Sequence, residues 1–208
     1  MPKTYQNTVQ TQQRIVEHAI DLFNERGTQD VSTNHIAAAA SLSPGNLYYH
    51  FRNKEAIIRE ILERIIADWE ALYQSLDPAT LTLETLRSLI KASFGLNWKY
   101  RFFYRELVSL LHKDELLKAR YSDNQQRRFK QQAELVAQMA HLKRLRLPKD
   151  DAEVRNALRI AWIVQDGWIL HQEMLGQTVD EHTIQEGVDL VMYLYKPYFD
   201  AKAKGDSK

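Results

Sequence analysis

Apolar residues recur along almost the whole chain at the three-to-four-residue interval of an α-helix, and no stretch shows the sustained two-residue alternation of a half-buried strand. Residues 1 to 9 lack this pattern and read as an unstructured arm. From about Gln10, Ile15, Ala19, Ile20, Leu22 and Phe23 line one helical face, until Gly27 closes the helix after Arg26. Ser32 or Thr33 caps a short second helix carrying Ile36 and Ala37 to Ala40. Ser43 is an N-cap with Pro44 at the first helical position, where its missing N–H costs nothing, so a third helix of about two turns starts there. Asn53 caps a much longer fourth helix through Ile57, Ile61, Ile65 and Trp69 to about Gln74. Beyond Asp77-Pro78, helices are predicted over about 82–97, 100–111, 113–145, 151–175 and 180–197, with Pro148, Gly176 and Pro197 as breaks. The expected fold is all-α, with about nine helices, the first three forming a helix-turn-helix plan joined by the long fourth helix to a larger helical region.

Composition narrows the function classes. At 208 residues, 44% hydrophobic and 10% aromatic, the chain buries a real core and is not a disordered tail protein. Cysteine is absent, which removes disulfide scaffolds, Cys-ligated zinc and thiol chemistry. The 28 Lys+Arg against 27 Asp+Glu give a formal net charge of +1, so any nucleic-acid binding must come from local arrangement. No apolar segment suits a signal peptide or a membrane span, so a cytoplasmic protein with no membrane contact is expected. A phosphate loop, a His-Glu-x-x-His helix, a serine elbow and paired Glu-x-x-His motifs are all missing, and the seven histidines show no ligand spacing. No catalytic site, cofactor or metal is expected.

The third helix carries the most specific signal. With Leu47 and Phe51 turned into a small core against Ile36 and Phe23, Pro44, Gly45, Asn46 and Tyr49 lie towards the opposite side. Gly45 allows close approach to a groove wall, and Asn46 offers an amide able to pair with an adenine edge. Ser43, Thr33, Tyr48, His50 and Lys54 supply donors suited to phosphates. Three of these have a plainer reading: Tyr48 as boundary packing, His50 as a surface or capping residue, Lys54 as a solvated side chain.

The run Arg14 to Ile58, with Phe23, Gly27, Ser32-Thr33, Ile36-Ala37, Ala40, Leu42-Ser43, Gly45-Asn46-Leu47-Tyr48-Tyr49-His50-Phe51, Lys54 and Glu55, closely resembles the DNA-binding domain of the TetR family of transcriptional regulators. The resemblance covers about a fifth of the chain. It implies an all-helical homodimer whose second domain binds a small ligand and forms the dimer contact. It further implies that Asn46, Tyr49 and the Ser43-Pro44-Gly45 helix start meet bases or the adjoining backbone, and that Thr33, Tyr48, His50 and Lys54 meet phosphates. The expected division is 1–54 for DNA binding, 55–200 for effector binding and dimerisation, and 201–208 as a solvated tail. One departure stands out: the first 52 residues hold only Lys3, Arg14, Arg26 and Arg52 against Glu17, Asp21, Glu25 and Asp30, so affinity leans on helix N-termini, neutral donors and dimeric engagement.

The second region concentrates aromatics. Most such stripes are ordinary core, yet Trp98, Phe102, Phe103, Tyr104, Met139, Trp162 and Trp168, with Glu106, Gln165 and His171 as polar groups, suit the lining of a mostly apolar effector site. The basic run Lys143, Arg144, Arg146 and Lys149 reads as a solvated helix end or an attractor of an anionic effector. The acidic stretch from Asp150 to Asp189 argues against DNA lying along the last two helices. Those helices carry apolar faces at Val154, Leu158, Trp162, Ile169, Ile184, Gly187, Val188, Val191 and Tyr195, expected to form a four-helix dimer contact, with Gly187 where another backbone comes close. A dimer would space two recognition helices by about 34 Å, matching a pseudo-palindrome on double-stranded DNA.

The expected function is a homodimeric transcriptional repressor, released from its operator when a small-molecule effector shifts the separation of its reading heads. An activator shares these residues, and a helical partner-binding or architectural protein with a non-reading helix-turn-helix is the contrasting class.

Overall fold

The computed structural model describes residues 3–74 and 76–199; the predicted tail lies outside them. Helix α1 (Lys3–Arg26) starts well before Gln10. The segment read as an arm contains neither Gly nor Pro after Pro2, so nothing stops the helix from extending as a polar overhang upstream of its buried face. Gly27, at φ +77°, ends α1, its N–H bonding to the Phe23 carbonyl at 2.9 Å.

Local capping places the next elements. Ser32 caps α2 (Thr33–Ala39) by accepting from His35 N–H at 3.2 Å, while its own N–H donates to His35 Nδ1, a capping box with histidine in the reciprocal role. Ser43 caps α3 (Pro44–His50) through Asn46 N–H. Between them Ser41 adopts φ +55°; its N–H bonds to Ala38 and that of Leu42 to Ala37, the paired bonds of a Schellman turn that fix how α3 leaves α2. Asn53 Oδ1 accepts from Ala56 N–H at the start of α4 (Lys54–Gln74).

Thr82 and Thr85 cap each other at α5 (Leu83–Lys99). Then α6 (Arg101–Lys113) gives way to α7 (Glu115–His141) at Asp114, whose Oδ1 accepts from Leu116 and Leu117 N–H. Helix α7 stops short of residue 145 because Lys143 turns left-handed, φ +58°, in a second Schellman turn. Asp150 and Asp180 cap α8 (Asp151–Met174) and α9 (Glu181–Tyr195), and a 3-10 turn, Lys196–Tyr198, follows. Among the described residues there are nine α-helices and no strand, only an isolated bridge between Leu145 and Phe199.

The described residues up to Ala67, together with Tyr100–Tyr121, form one compact unit; Asp68–Lys99 with the residues from Ser122 onward form another. The first has Ile15, Phe23, Ile36, Leu47, Ile57, Ile61 and Phe102 fully buried. In the second, Ile90, Phe94, Ala161, Ile169, Val188, Val191 and Met192 make a core between α5, α8 and α9.

Candidate DNA-reading face and effector cavity

In the first unit, α3 is held from beneath by Leu47 and Phe51, both buried, which turns Ser43, Pro44, Gly45, Asn46, Tyr48 and Tyr49 outward. Tyr49 is 81% exposed and Tyr48 49%. A methyl group at Gly45 would meet no atom within 4 Å, so nothing in the chain's own packing calls for glycine there. Thr33, the first residue of α2, shares a 2.9 Å hydrogen bond with the Tyr48 hydroxyl, joining the two helices across the turn. His50 packs edge-on to Tyr49 and has a buried Nδ1 with no partner among the described residues.

Lys54 sits differently from a free phosphate ligand. Its Nζ donates to the carbonyls of Thr28 and Val31 in the α1–α2 connection. Thr28 is grasped from the other side by Glu106 on α6, which accepts from its N–H at 2.8 Å and from its hydroxyl. Glu106 Oε1 also lies 3.1 Å from where a Gly27 side chain would begin. Glu106 therefore orders the connection leading into α2. Phe102 and Phe103 are both 1% exposed, with the Phe102 ring 5.1 Å from Phe23, and the Phe102 N–H bonds to Asn24. Tyr104, half-buried, packs edge-on to Phe103. These four residues, expected beside an effector, belong to the core and braces of the first unit.

In the second unit a cavity of about 50 Å³ lies among Leu86, Ile90, Val136 and Met139, with Tyr73, Ser93, Gln132, Gln165 and Tyr195 as its polar lining. Beside it runs a groove of about 440 Å³ lined by Glu70, Gln74, Gln131 and Glu134 among others; Tyr73 and Leu135 border both. Of the residues expected to line an effector site, Met139 and Gln165 line this cavity. Gln165 Oε1 accepts from Ser93, and its carbonyl accepts from Asn97 at 2.7 Å. Trp98 and Trp168 pack on the core, and Trp168 donates to the Thr183 carbonyl at 2.7 Å. His171 is exposed. Trp162 is engaged elsewhere. Together with Trp69 it sandwiches the Arg128 guanidinium, at 4.8 and 3.9 Å from the ring centres, and it donates to Asp166 at 2.8 Å. Burial lifts the Asp166 carboxyl to about 6, against the pull of Arg128 and the Trp162 N–H. Sequence reasoning missed Tyr73, Ser93 and Gln132, and set Tyr195 at a dimer contact; each is a single polar residue on an apolar helical face, a signal with no local meaning.

The residues expected at a dimer contact point mostly inward. Leu158, Ile169, Gly187, Val188 and Val191 are buried in their own unit, and a methyl group at Gly187 would lie 2.5 Å from Trp168 Cδ1 and 2.9 Å from Phe94. The close approach at Gly187 is by side chains of the same chain. Val154, Trp162, Ile184 and Tyr195 are half-buried. The outward apolar residues of α8 and α9 are Ile160, Ile163, Met174, Leu190 and Tyr193.

Comparison with known proteins decides what this assembly is. Residues 15–61 match the model of the bacterial regulatory proteins of the tetR family, and residues 64–206 match that of a bacterial transcriptional repressor of the TetR type. The chain belongs to the TetR family. The family is one of DNA-binding transcriptional regulators of the helix-turn-helix kind. A crystal structure of a TetR-family regulator from Marinobacter aquaeolei matches with a TM-score of 0.80 at 29% identity, over 92% of each chain. The HTH-type transcriptional repressor KstR2 of Mycolicibacterium smegmatis is 35% identical over 45% of this chain and 46% of its own length. The HTH-type transcriptional regulator UidR of Escherichia coli is 33% identical over 41% and 45%. The matched segments thus span just under half of these two regulators. No helix among the described residues of this TetR-family chain is long and apolar enough to cross a membrane, and no group of three or more potential ligands among them could hold a metal ion.

Proposed function

We propose that the chain is a homodimeric repressor that reads a pseudo-palindromic operator through α3 and is released by a small, mostly apolar effector held in the second unit. The observation carrying the DNA reading is the open space at Gly45 within an outward face of Asn46, Tyr48 and Tyr49. A glycine that the fold does not need is explained by a surface that comes close from outside, here the phosphate wall of the major groove. Asn46 and Tyr49 read bases, while Ser43, Thr33 and Tyr48 hold phosphates. Lys54, engaged with two carbonyls, acts on DNA by setting the α1–α2 connection.

For the dimer, Ile160, Ile163, Gly167 and Met174 fall on one stripe of α8, flanked by Leu190 and Tyr193 of α9. Gly167 is open on its outer side, so a second copy can approach closely there. For the effector, the cavity around Tyr73 and Gln165 has room only for a water or two, and ligand entry enlarges it from the adjoining groove. Helix α4 carries Lys54 near one end and Tyr73 near the other, a continuous element through which an effector biases DNA affinity.

The test is selection of bound duplexes from a random pool at about 0.15 M salt, with Asn46→Ala in parallel. A two-fold symmetric site that the variant binds with relaxed sequence preference supports the reading. Absence of any enriched sequence with folded protein overturns it.

A further inference from the structure

We propose that the effector is an uncharged, largely apolar molecule carrying a hydroxyl group, recognised by Tyr73, Gln132 and Tyr195. This rests on the reading of the cavity as the effector site. Three facts about hydrogen-bond capacity carry it.

The Tyr73 phenol lines the same cavity as Gln132 and Tyr195. A neutral phenol carries one hydrogen to give, so Tyr73 offers a donor to a ligand oxygen there. Gln132, 8% exposed, donates from its amide nitrogen to the Tyr195 hydroxyl at 3.3 Å, and its Oε1 is buried without a partner among the described residues. That leaves the Tyr195 hydrogen as a donor and Gln132 Oε1 as an acceptor. Exchanging the two ends of the amide again leaves donor and acceptor capacity side by side, now the amide N–H groups and the Tyr195 oxygen. A hydroxyl both gives and receives a hydrogen bond, so it satisfies the pair in either orientation, and the Tyr73 hydrogen adds a second bond to its oxygen.

Charge excludes the neighbouring classes. The cavity lining has no ionisable group except the two phenols, and burial pushes both above the ordinary tyrosine value, which keeps them neutral donors. In the groove beside it Glu70 is paired with Arg127 at 2.7 Å and Glu134 with Lys130 at 3.9 Å, so neither is a free anion. A carboxylate would lose its hydration against neutral groups, and an ammonium would find no anion inside.

Calorimetric titration of the full chain with three probes of one shape tests this: 1-(2-naphthyl)ethanol, 2-ethylnaphthalene and 2-naphthoate. The alcohol is expected to bind about tenfold tighter than the hydrocarbon, with the carboxylate weakest. Tyr73→Phe and Tyr195→Phe should each reduce the alcohol's advantage about threefold while leaving the hydrocarbon's affinity unchanged; a merely structural role would weaken both probes together. Equal binding of alcohol and hydrocarbon, or tightest binding of the carboxylate, overturns the ligand class and leaves the site standing. Failure of all three to bind, or alcohol binding that Leu135→Trp at the shared wall does not disturb, overturns the site itself.

Discussion

The two units spend their polar groups in opposite ways. In the first, charged side chains brace connections: Lys54 and Glu106 converge on Thr28, Arg59 pairs with Asp114, and Arg120 forks onto Glu63 at 2.6 and 2.7 Å. Its outward helix is left with neutral donors and a bare glycine. In the second, neutral groups such as Gln132, Gln165 and Tyr195 face a cavity inside an apolar core, Arg128 and Asp166 are walled by tryptophans, and ion pairs such as Arg87–Asp189 and Lys99–Asp68 stay towards the surface. The difference fits the role proposed for each. A reading head has to present α3 in one orientation, and long-range charged hydrogen bonds fix loops well. A ligand chamber has to exchange solvent for solute, which isolated neutral groups permit at lower desolvation cost.

The sharpest break of this comparison is at Phe102. If it belongs to the brace-and-core unit, Phe102→Ala costs about 3–5 kcal/mol in urea denaturation; a loss under about 1 kcal/mol would return it to a ligand role. Next comes Asp166. Unfolded, it titrates near its ordinary 3.8; folded, it holds its proton up to about 6. The folded state therefore binds the extra proton between those values, so this group's favourable contribution is complete below about 3.8 and is lost as pH rises towards 6. Wild-type stability measured against Asp166→Asn should fall by roughly 2 kcal/mol between pH 4 and 6.5, and a flat difference would show the carboxyl to be solvated.

The two glycines make a matched pair. At Gly187 a methyl group collides with Trp168, which its bond to Thr183 holds in place, so Gly187→Ala should destabilise by about 1–2 kcal/mol. Gly45→Ala should change stability by less than about 0.5 kcal/mol yet weaken binding to the selected operator about tenfold, measured by fluorescence anisotropy. The smallest effect is at Ser41, where Ser41→Gly relieves a left-handed residue and should raise the thermal midpoint by a few degrees, equivalent to about 0.5–1 kcal/mol.

Caps and breaks were legible because their physics is local. Ser43, Asn53 and Gly27 act within about one helical turn, so reading along the chain finds them, and the helix-turn-helix with its resemblance follows. The start of α1 was misplaced for the same reason: apolar periodicity marks where a helix is buried, and says nothing of a polar overhang.

Sequence by itself determined the all-α class, the order and approximate limits of the helices, and the outward residues of α3, since Leu47 and Phe51 four apart can anchor only one face. Tertiary structure decided which apolar face meets which neighbour. Helices α8 and α9 have apolar residues on more than one side, and only packing against α5 turns Val188 and Val191 inward and leaves Ile163 and Tyr193 outside. It also decided the partners of polar residues far apart in the chain, such as Thr28 with Glu106 and Arg128 with Trp69 and Trp162. Periodicity constrains direction around a helix axis, whereas a hydrogen bond or a ring stack needs two atoms within a few ångströms, and that distance is set by the fold alone.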